Sequence, residues 1–308
     1  MKVSVVLTCY NSERTIGKTI ESVLNQTLSD FEFIIWNDGS TDSTEKIIKS
    51  YDDPRIRYFY HENTGVGQAA RMACEHVSAP YIARIDADDI AMTNRLQVEY
   101  DFMESHPDVV LVSSAVNFID GDDKVLGRSF PYTNSKILKN KLSMGHNVFV
   151  HSASMFRTDV YKRSGGYLGI RCALDLMLFA RISKYGKVVN LPDVLVSYRI
   201  STDSIGSSME SSGYWQVLNE FLKKMISEDV ISEDEEAMYN ALVTYAKRSK
   251  RIITSDETTK QRKRRARHIL YKLYDVLMPV LGVTASARII ITMKNIAAHF
   301  HINRNCGH

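Results

Sequence analysis

Apolar residues along the first ninety positions fall into short continuous runs separated by segments of helical periodicity. The runs are of the length and kind expected for strands covered on both faces. They are Val3 to Leu7, Phe31 to Trp36, Ile56 to Tyr60 and Tyr81 to Ile85. Between them, helices are predicted over residues 16–24, 44–51 and 69–77, the first capped by Asn11 or Ser12. Strands that alternate with helices predict an α/β fold with a mostly parallel, Rossmann-like sheet.

The rest of the chain predicts a mixed sheet and then a helical appendage. A helix is expected after Asn94, and Asp120-Gly121-Asp122-Asp123 marks a hairpin between strands. Further predictions are strands at 109–112, 115–119, 124–128 and 148–156, a helix at 174–185, an extended segment at 188–200 broken at Pro192, and helices at 214–226 and 233–247. We therefore divide the chain into a catalytic α/β domain, 1–205, and a helical region, 206–308.

Candidate chemistry begins with Y-I-A-R-I-D-A-D-D-I, residues 81–90. In an extended backbone Asp86 and Asp88 share a face, so two carboxylates project together at a strand end. A hard cation such as Mg²⁺ or Mn²⁺ would relieve their repulsion and could also hold a diphosphate. The alternative is that these acids crowd a solvated turn, as acids often do.

Polar residues follow each of the first four predicted strands. They are Thr8 to Asn11, Asn37 to Gly39, His61 to Asn63, and Asp86 to Asp88. The carboxyl ends of parallel strands meet at one edge of a sheet, where α/β proteins bind ligands. Each junction alone is ordinary turn chemistry, and Gly65-Val66-Gly67 lacks the third glycine of a dinucleotide fingerprint. Together the four junctions favour a nucleotide cleft.

Composition is that of an ordinary globular protein, with 44% apolar and 24% charged residues. No apolar run is long enough to span a membrane, no signal peptide is recognisable, and the four scattered cysteines suggest neither a zinc site nor disulfides. A cytoplasmic protein is expected. The charge is distributed unevenly along the chain. From Lys250 onward there are twelve Lys and Arg residues and three acids, a net charge of +9. Because the whole chain carries +3, residues 1–249 carry −6.

Five sequence blocks together resemble family 2 glycosyltransferases of the GT-A fold. They are V-S-V-V-L-T-C-Y-N-S-E (3–13), Q-T-L-S-D-F-E-F-I-I-W-N-D-G-S-T-D-S-T (26–44), N-T-G-V-G-Q-A-A-R (63–71), I-A-R-I-D-A-D-D-I (82–90) and N-L-P-D-V-L-V-S-Y-R (190–199). The resemblance covers about residues 2–205. It implies a nucleoside-diphosphate sugar donor, here a UDP-sugar, a divalent metal, and transfer with inversion to a glycan or lipid-linked acceptor in surface polysaccharide synthesis.

The resemblance also implies roles for individual residues. Those expected to bind the nucleotide sugar are Thr8, Tyr10 and Glu13 at the nucleoside, Asp38 at the base, Arg71, and Asp86 with Ala87 at the ribose. Asp88 is expected to hold the metal, and Asp175 to act as general base. The alternative for Asp175 is a carboxylate that only stabilises a helix N-terminus.

Departures from the family pattern leave the acceptor open. Leu174 and Met177 stand where the family has acids. Asp89 and His151 are candidates for the acceptor side of the cleft, with a core or capping role as the alternative for His151. These departures motivate a competing hypothesis, a sugar-nucleotide or glycan binding protein without catalysis. A D-x-D phosphatase and a nucleotidyltransferase are disfavoured, because the acidic motif ends the fourth strand and Thr8 to Glu13 contains no glycine.

The C-terminal region adds a candidate membrane contact. A basic cluster at 260–267 precedes apolar residues at helical spacing up to Leu277, so that residues 260–278 could lie on an anionic membrane surface. The alternative is an apolar stripe packed on the catalytic domain. No nucleic-acid recognition motif is present in the sequence.

Overall fold

The computed structural model of the chain describes residues 1–200, 221, 234–237 and 239–240. Nine strands are described: β1 Val3–Cys9, β2 Phe31–Asp38, β3 Ile56–His61, β4 Tyr81–Asp86, β5 Ile90–Ala91, β6 Val109–Ile119, β7 Val125–Arg128, β8 Met155–Arg157 and β9 Lys187–Arg199. Seven α-helices accompany them: α1 Ile16–Leu24, α2 Thr44–Ile48, α3 Val66–Glu75, α4 Arg95–Ser105, α5 Ser135–Ser143, α6 Thr158–Arg163 and α7 Leu174–Ile182.

The strands form one mixed sheet in the order β3-β2-β1-β4-β8-β6-β9-β5, with β7 paired to β6. The first four strands are parallel, and Thr8 lies beside both Trp36 and Asp86 in register. Their carboxyl ends therefore meet at one edge, as predicted. β8 runs antiparallel to both β4 and β6, whereas β6 and β9 are parallel. The mixed α/β architecture predicted from the sequence is confirmed.

Apolar side chains cover both faces of the sheet. One buried cluster combines sheet residues such as Ile34 and Ile82 with residues of α3, α5 and α7. A second cluster places Ile20 of α1 and Leu96 of α4 against Val5 and Ile85. Because both faces are buried, the first strands are continuous apolar runs, which is why the sequence located them well.

Two local predictions were wrong. Residues 148–156 form a 3₁₀ turn, His151–Ala153, followed by only three residues of strand. In this turn the Ser154 hydroxyl donates to the His151 carbonyl, so that a side chain competes with strand pairing. The first helix begins at Ile16 without a side-chain cap, and Asn11, at φ 49°, instead accepts a hydrogen bond from the Thr41 amide.

Strand lengths also differ from the prediction. Two predicted strands at 109–112 and 115–119 are a single strand, β6, in which Ser113 and Ser114 are buried. Strand β9 continues through Pro192, and its pairing with β6 shifts register there, between Leu191 and Val194. A proline lacks the amide needed for a ladder hydrogen bond, and an irregularity in the pairing accommodates this loss.

The predicted helices at 214–226 and 233–247, the domain boundary at 205/206 and the basic segment 260–278 fall largely or wholly outside the described residues. Residues 221, 234–237 and 239–240 are helical. Among the described residues, no helix is long and apolar enough to cross a membrane.

A close approach of α3 to the loop before α7 gives a first prediction. A Cβ on Gly67 would lie 2.0 Å from the carbonyl oxygen of Ile170, and backbone atoms cannot move aside as a flexible side chain can. We expect Gly67→Ala to lower the free energy of unfolding by at least about 2 kcal/mol. Gly121→Ala is the matched control, because nothing lies within 4 Å of its added Cβ. Equal melting temperatures for the two variants would contradict this close packing.

Candidate active site at the end of the fourth strand

The site is built around Asp86, the last residue of β4. Its amide donates to the Ser152 hydroxyl at 3.0 Å, and its Oδ1 lies 3.2 Å from His151 Nδ1 and 3.4 Å from Arg84 Nη2. Burial alone disfavours the charge of Asp86, but the neighbouring His151 and Arg84 side chains lower its pKa below the ordinary range. Asp86 is therefore ionised throughout the physiological pH range and can accept hydrogen bonds.

The strand ends at Asp86, and Ala87 and Asp88 lie in the turn that follows. The alternation of side chains along a strand therefore does not extend to Asp88. The two carboxylates are close nonetheless: burial, and next the charge of Asp86, raise the pKa of Asp88 to about 6. The negative charge at this turn is thus only partly compensated by the protein, as expected of a cation site.

Asp89 is almost fully buried, and the Arg199 amide donates to its Oδ1 at 2.7 Å. Its other carboxylate oxygen has no hydrogen-bond partner among the described residues. Burial first, and then the charges of Asp88 and Asp86, raise the pKa of Asp89 well above its ordinary value. Asp89 lies in the same acidic turn, as the sequence suggested.

Arg199 at the end of β9 fixes the main chain of this turn. Its Nε donates to the Asp88 carbonyl at 2.8 Å, and its two terminal nitrogens donate to the Asp120 carbonyl and the Asp123 carboxylate, both at 2.5 Å. From the other side the Thr19 hydroxyl donates to the Asp89 carbonyl at 2.8 Å and approaches that of Ala87 at 3.1 Å. The β6–β7 hairpin, α1 and β9 thereby hold the acidic turn between them.

Arg84 and His151 both contact the Asp86 carboxylate. Arg84 is fully buried, and two of its guanidinium nitrogens, Nε and Nη1, lack hydrogen-bond partners among the described residues. Its Nη2 reaches the Thr8 hydroxyl at 3.3 Å. His151 Nε2 lies 2.7 Å from the Tyr167 hydroxyl. His151 is thus in direct contact with the Asp86 carboxylate. Its predicted place on the acceptor side of the cleft stays a prediction.

The residues predicted at the nucleoside lie at the ends of β1 and β2. Thr8 is half-buried and Tyr10 is 52% exposed. Glu13 accepts a hydrogen bond from the Ser43 amide at 2.9 Å and so holds the start of α2. Asp38 is buried, and it accepts from the amides of Thr64 and Gly65, each at 2.9 Å. It thereby fixes the loop that leads into α3.

Arg71 lies on α3 and is engaged elsewhere in this structure. Its Nε donates to the Tyr167 carbonyl at 3.0 Å, and its Nη2 forms an ion pair with Glu236 at 3.0 Å. Glu236 also accepts from the Gly169 amide at 2.8 Å. The approach of Arg71 to a nucleotide, implied by the family resemblance, stays a prediction.

Asp175 lies in the first turn of α7, where its Oδ2 accepts from the Asn147 side-chain amide at 2.5 Å. Tyr198 of β9 feels the charge of Asp175 and of the acidic turn. Burial first, and then the charges of four aspartates, raise the pKa of the Tyr198 hydroxyl; the four are Asp89, Asp86, Asp88 and Asp175. The negative charges of the acidic turn and of the carboxylate predicted as general base therefore act on the same tyrosine.

The carboxylates at the turn suit a metal ion whose ligands come partly from the protein and partly from the substrate. Within the described residues no group of three or more His, Cys, Asp or Glu side chains is arranged to hold a metal alone. Mg²⁺ in nucleotide sites usually takes one or two carboxylates and completes its shell with water and phosphate oxygens. The poorly compensated charge of Asp88 and the unpartnered buried oxygen of Asp89 fit such a shared site.

Comparison with known proteins identifies the class. The sequence profile of "Glycosyl transferase family 2" matches residues 4–165, more than half of the chain. The amylovoran biosynthesis glycosyltransferase AmsE of Erwinia amylovora is 31% identical over 66% of this chain and 77% of its own length. The O-antigen biosynthesis glycosyltransferase WbnJ of Escherichia coli is 30% identical over 72% of this chain and 89% of its own. The protein belongs to glycosyltransferase family 2.

Solved structures show the same fold. The crystal structure of S. aureus TarS 1–349 in complex with UDP-GlcNAc superposes with a TM-score of 0.61, covering 91% of this chain and 82% of that one at 17% identity. The GT-A architecture expected from the sequence blocks is thereby confirmed.

Sequence reasoning missed several residues that hold the site together. Arg199 was part of a recognised block but had no assigned role, and Arg84 lies two residues before Asp86 on the same face of β4. That spacing was the available signal for Arg84. Tyr198 was part of the same block as Arg199, again without an assigned role, whereas Asn147 carried no signal, because its contact with Asp175 arises only from the tertiary fold.

The raised pKa of Asp88 gives a second prediction. Its folded value, about 6, exceeds the ordinary 3.8, so ionisation of Asp88 destabilises the fold increasingly as pH rises through this range. Asp88→Asn removes that cost. We expect its gain in free energy of unfolding to grow by roughly 1 kcal/mol between pH 5 and pH 8, measured by urea denaturation.

The exposed carboxylate Asp122 supplies the control, because Asp122→Asn should show no such dependence. A pH-independent effect of Asp88→Asn would mean that the Asp88 charge is already compensated in the fold.

Proposed function

We propose that this protein transfers a sugar, with inversion, from a UDP-sugar to a glycan or lipid-linked acceptor during assembly of a surface polysaccharide. The observation that carries the proposal is the acidic turn at the end of β4, where His151 and Arg84 contact the Asp86 carboxylate and Arg199 holds the Asp88 carbonyl, at the edge where the parallel strands end. A transferase of this kind needs carboxylates for two tasks: holding the diphosphate through a metal and accepting the proton of the acceptor hydroxyl.

The assignment of a UDP-sugar as donor rests on the polar residues at the strand ends and on structurally similar proteins of known structure. Thr8, Asp38 and Asp86 lie at the carboxyl ends of three adjacent parallel strands, where a nucleoside can lie across the sheet edge. Asp86, held ionised by its neighbours, suits the ribose hydroxyls as a hydrogen-bond acceptor. Among the solved neighbours, TarS has been crystallised with UDP-GlcNAc and with UDP.

Asp88 is proposed to hold the divalent metal, Mg²⁺ or Mn²⁺. The metal, when bound, would stabilise the charge that grows on the departing nucleoside diphosphate without any proton transfer. The protein's own contribution is to fix the turn: Arg199 and Thr19 hold the main-chain carbonyls of Asp88 and Asp89, so the Asp88 carboxylate is positioned before substrate arrives.

Asp175 is proposed as the general base. One oxygen accepts from Asn147, which orients the carboxylate and leaves the second oxygen to receive the acceptor's proton. The neighbouring departures from the family pattern are structural: Leu174 and Met177 are buried in the core beneath the sheet. The apolar replacements therefore serve packing, and Asp175 is the acid of that helix turn.

The acceptor class follows from the relatives. Their names include amylovoran and O-antigen biosynthesis glycosyltransferases and an enzyme that acts on a diphosphoundecaprenol-linked sugar. A glycan carried on a lipid diphosphate is therefore the acceptor proposed here, and a position at the cytoplasmic face of a membrane is part of the same proposal. The basic segment 260–278 is proposed to contribute to that association.

The decisive test replaces Asp175 by Asn. A panel of UDP-, GDP- and dTDP-sugars with Mn²⁺ identifies the donor by hydrolysis and calorimetry, and turnover is then measured with a lipid-linked acceptor. Asp175→Asn should leave donor affinity unchanged and lower turnover by about 10² to 10⁴-fold, the usual effect of removing a general base.

Asp159→Asn is the matched control, because Asp159 also lies in the first turn of a helix but is exposed on α6. A variant of Asp175 with more than about a third of wild-type turnover would reject this residue as base. Donor binding without turnover in the wild type would instead favour a binding protein.

A separate prediction concerns the basic tail. Truncation after Ser255 should weaken binding of the protein to anionic vesicles, and higher salt should weaken binding of the intact chain, because cations are screened. Co-sedimentation at two salt concentrations measures both effects. Equal, salt-independent partitioning of the two forms would assign the tail to packing rather than to the membrane.

A further inference from the structure

Residues 124–146, here called the basic rim, have an unusual composition for a segment of an exposed surface. The rim contains five cations, Lys124, Arg128, Lys136, Lys139 and Lys141, and no acid occurs from Lys124 until Asp159. Residues 1–249 as a whole are acidic, with a net charge of −6. The rim is therefore a positive segment on a negative domain.

The same segment exposes large apolar side chains. They are Val125 at 56%, Leu126 at 42%, Phe130 at 49%, Tyr132 at 42%, Ile137 at 45% and Met144 at 59%. Along α5 two faces differ: Leu138 and Leu142 are buried, whereas Ile137, Lys141 and Met144 follow each other at helical spacing on a neighbouring, more exposed face. Exposed apolar and basic side chains are thus interleaved along the rim.

Within the described part of the chain, none of the five cations pairs with a carboxylate. Lys141 lies 4.7 Å from the Tyr132 ring centre, Arg128 stacks 5.7 Å from that of Phe130, and Arg128 also donates to the Pro192 carbonyl. Outside the rim, Lys49 and Lys187 by contrast pair with Glu45 and Asp108. The rim's charge is therefore available to an external anion.

Both ends of the rim join the candidate active site. At its start, Asp123 binds Arg199, which holds the Asp88 carbonyl. At its end, Asn147 donates to Asp175, and α5 packs against α7. The rim is consequently tied at both ends to residues that contact the acidic turn and Asp175.

We propose that the basic rim docks on the surface of an anionic lipid bilayer. Cations attract anionic headgroups, and the interleaved apolar side chains can enter the interface, a combination typical of helices and loops that lie on membranes. A soluble polyanion would use the cations alone and leave six large apolar side chains in water. A second copy of this acidic domain would offer opposite charge but is disfavoured, since the rim's apolar groups would need a matching apolar face.

This docking deepens the proposed function, on which its consequence for the acceptor rests. A bilayer against the rim would bring a lipid-linked sugar to the side of the cleft where Asn147 and Asp175 lie. Docking itself is measured without donor or acceptor, so failure of one proposal is distinguishable from failure of the other. The rim is also separate in sequence from the tail 260–278.

The first experiment is lysine footprinting on the intact, unmodified chain. Acetylation of each lysine is followed by mass spectrometry in buffer, with neutral phosphatidylcholine vesicles, and with vesicles containing phosphatidylglycerol. Only the anionic vesicles should protect Lys124, Lys136 and Lys139, while Lys46 and Lys162, exposed on α2 and α6, should react unchanged. Because each site is read separately, a contribution of the tail does not mask the result.

The second experiment measures partitioning of two matched double variants. Lys136→Gln with Lys139→Gln should lower the partition coefficient onto anionic vesicles roughly 25-fold, since each cation near the surface contributes about five-fold. Lys46→Gln with Lys162→Gln should leave it unchanged. Phe130→Ser should weaken partitioning, whereas Tyr60→Ser, at a site 53% exposed outside the rim, should not.

Three outcomes would overturn the proposal. The first is equal reactivity of the rim lysines with and without anionic vesicles. The second is protection that rises with protein concentration in the absence of lipid, which would assign the rim to self-association. The third is protection by dextran sulfate equal to that by vesicles, together with no effect of Phe130→Ser, which would assign it to a soluble polyanion.

Discussion

Electrostatic repulsion among Asp86, Asp88 and Asp89 is the constraint on which the site depends. Three carboxylates within four residues disfavour ionisation of one another. The protein stabilises the charge of one of them more than that of the other two. His151 and Arg84 keep Asp86 charged, whereas the pKa values of Asp88 and Asp89 rise. The negative charge is thus well compensated by neighbouring cations at Asp86, where the strand ends, and poorly compensated at Asp88 and Asp89 in the turn. Asp88 and Asp89 are therefore the carboxylates whose charge the fold compensates least.

Such a turn must be held by contacts from distant parts of the chain, because its own charges oppose its compact form. Arg199, more than a hundred residues later, supplies four hydrogen-bond donors to the turn and the hairpin. Thr19 supplies a hydroxyl from α1. These donors bind main-chain carbonyls as well as carboxylates, so the geometry persists when the aspartates change their charge.

The parts of the fold that the sequence predicted are those governed by local pattern. Strands β1 to β4 are buried on both faces, and continuous apolar runs identify them without any knowledge of their neighbours. The segment 148–156 is apolar as well, yet it forms a 3₁₀ turn because Ser152 and Ser154 direct hydroxyls to main-chain groups. The length of β6 was underestimated because Ser113 and Ser114 read as a break.

For the site, the acidic motif was readable, but its supports were not. Asp88 and Asp175 could be singled out by residue type and by family pattern, whereas Arg199 and Asn147 act through contacts between elements far apart in sequence. The strand-face argument for Asp86 and Asp88 also failed locally, because β4 ends at Asp86. The carboxylates are close for a different reason, the tight turn that Arg199 holds.

The position of Asp175 depends on residues well beyond the family's sequence blocks. Glu236 accepts from the Gly169 amide and pairs with Arg71, and Asn240 accepts from the Arg171 amide at 2.8 Å. The Tyr239 hydroxyl donates to the Cys172 carbonyl at 3.1 Å. These contacts fix the loop that leads directly into α7, so Asp175 is held from the C-terminal side of the chain. Arg71 of α3 contacts both this loop and Glu236. Its guanidinium donates to the Tyr167 carbonyl and forms the ion pair with Glu236. The geometry around Asp175 therefore depends on the sheet edge and on Glu236, Tyr239 and Asn240 together.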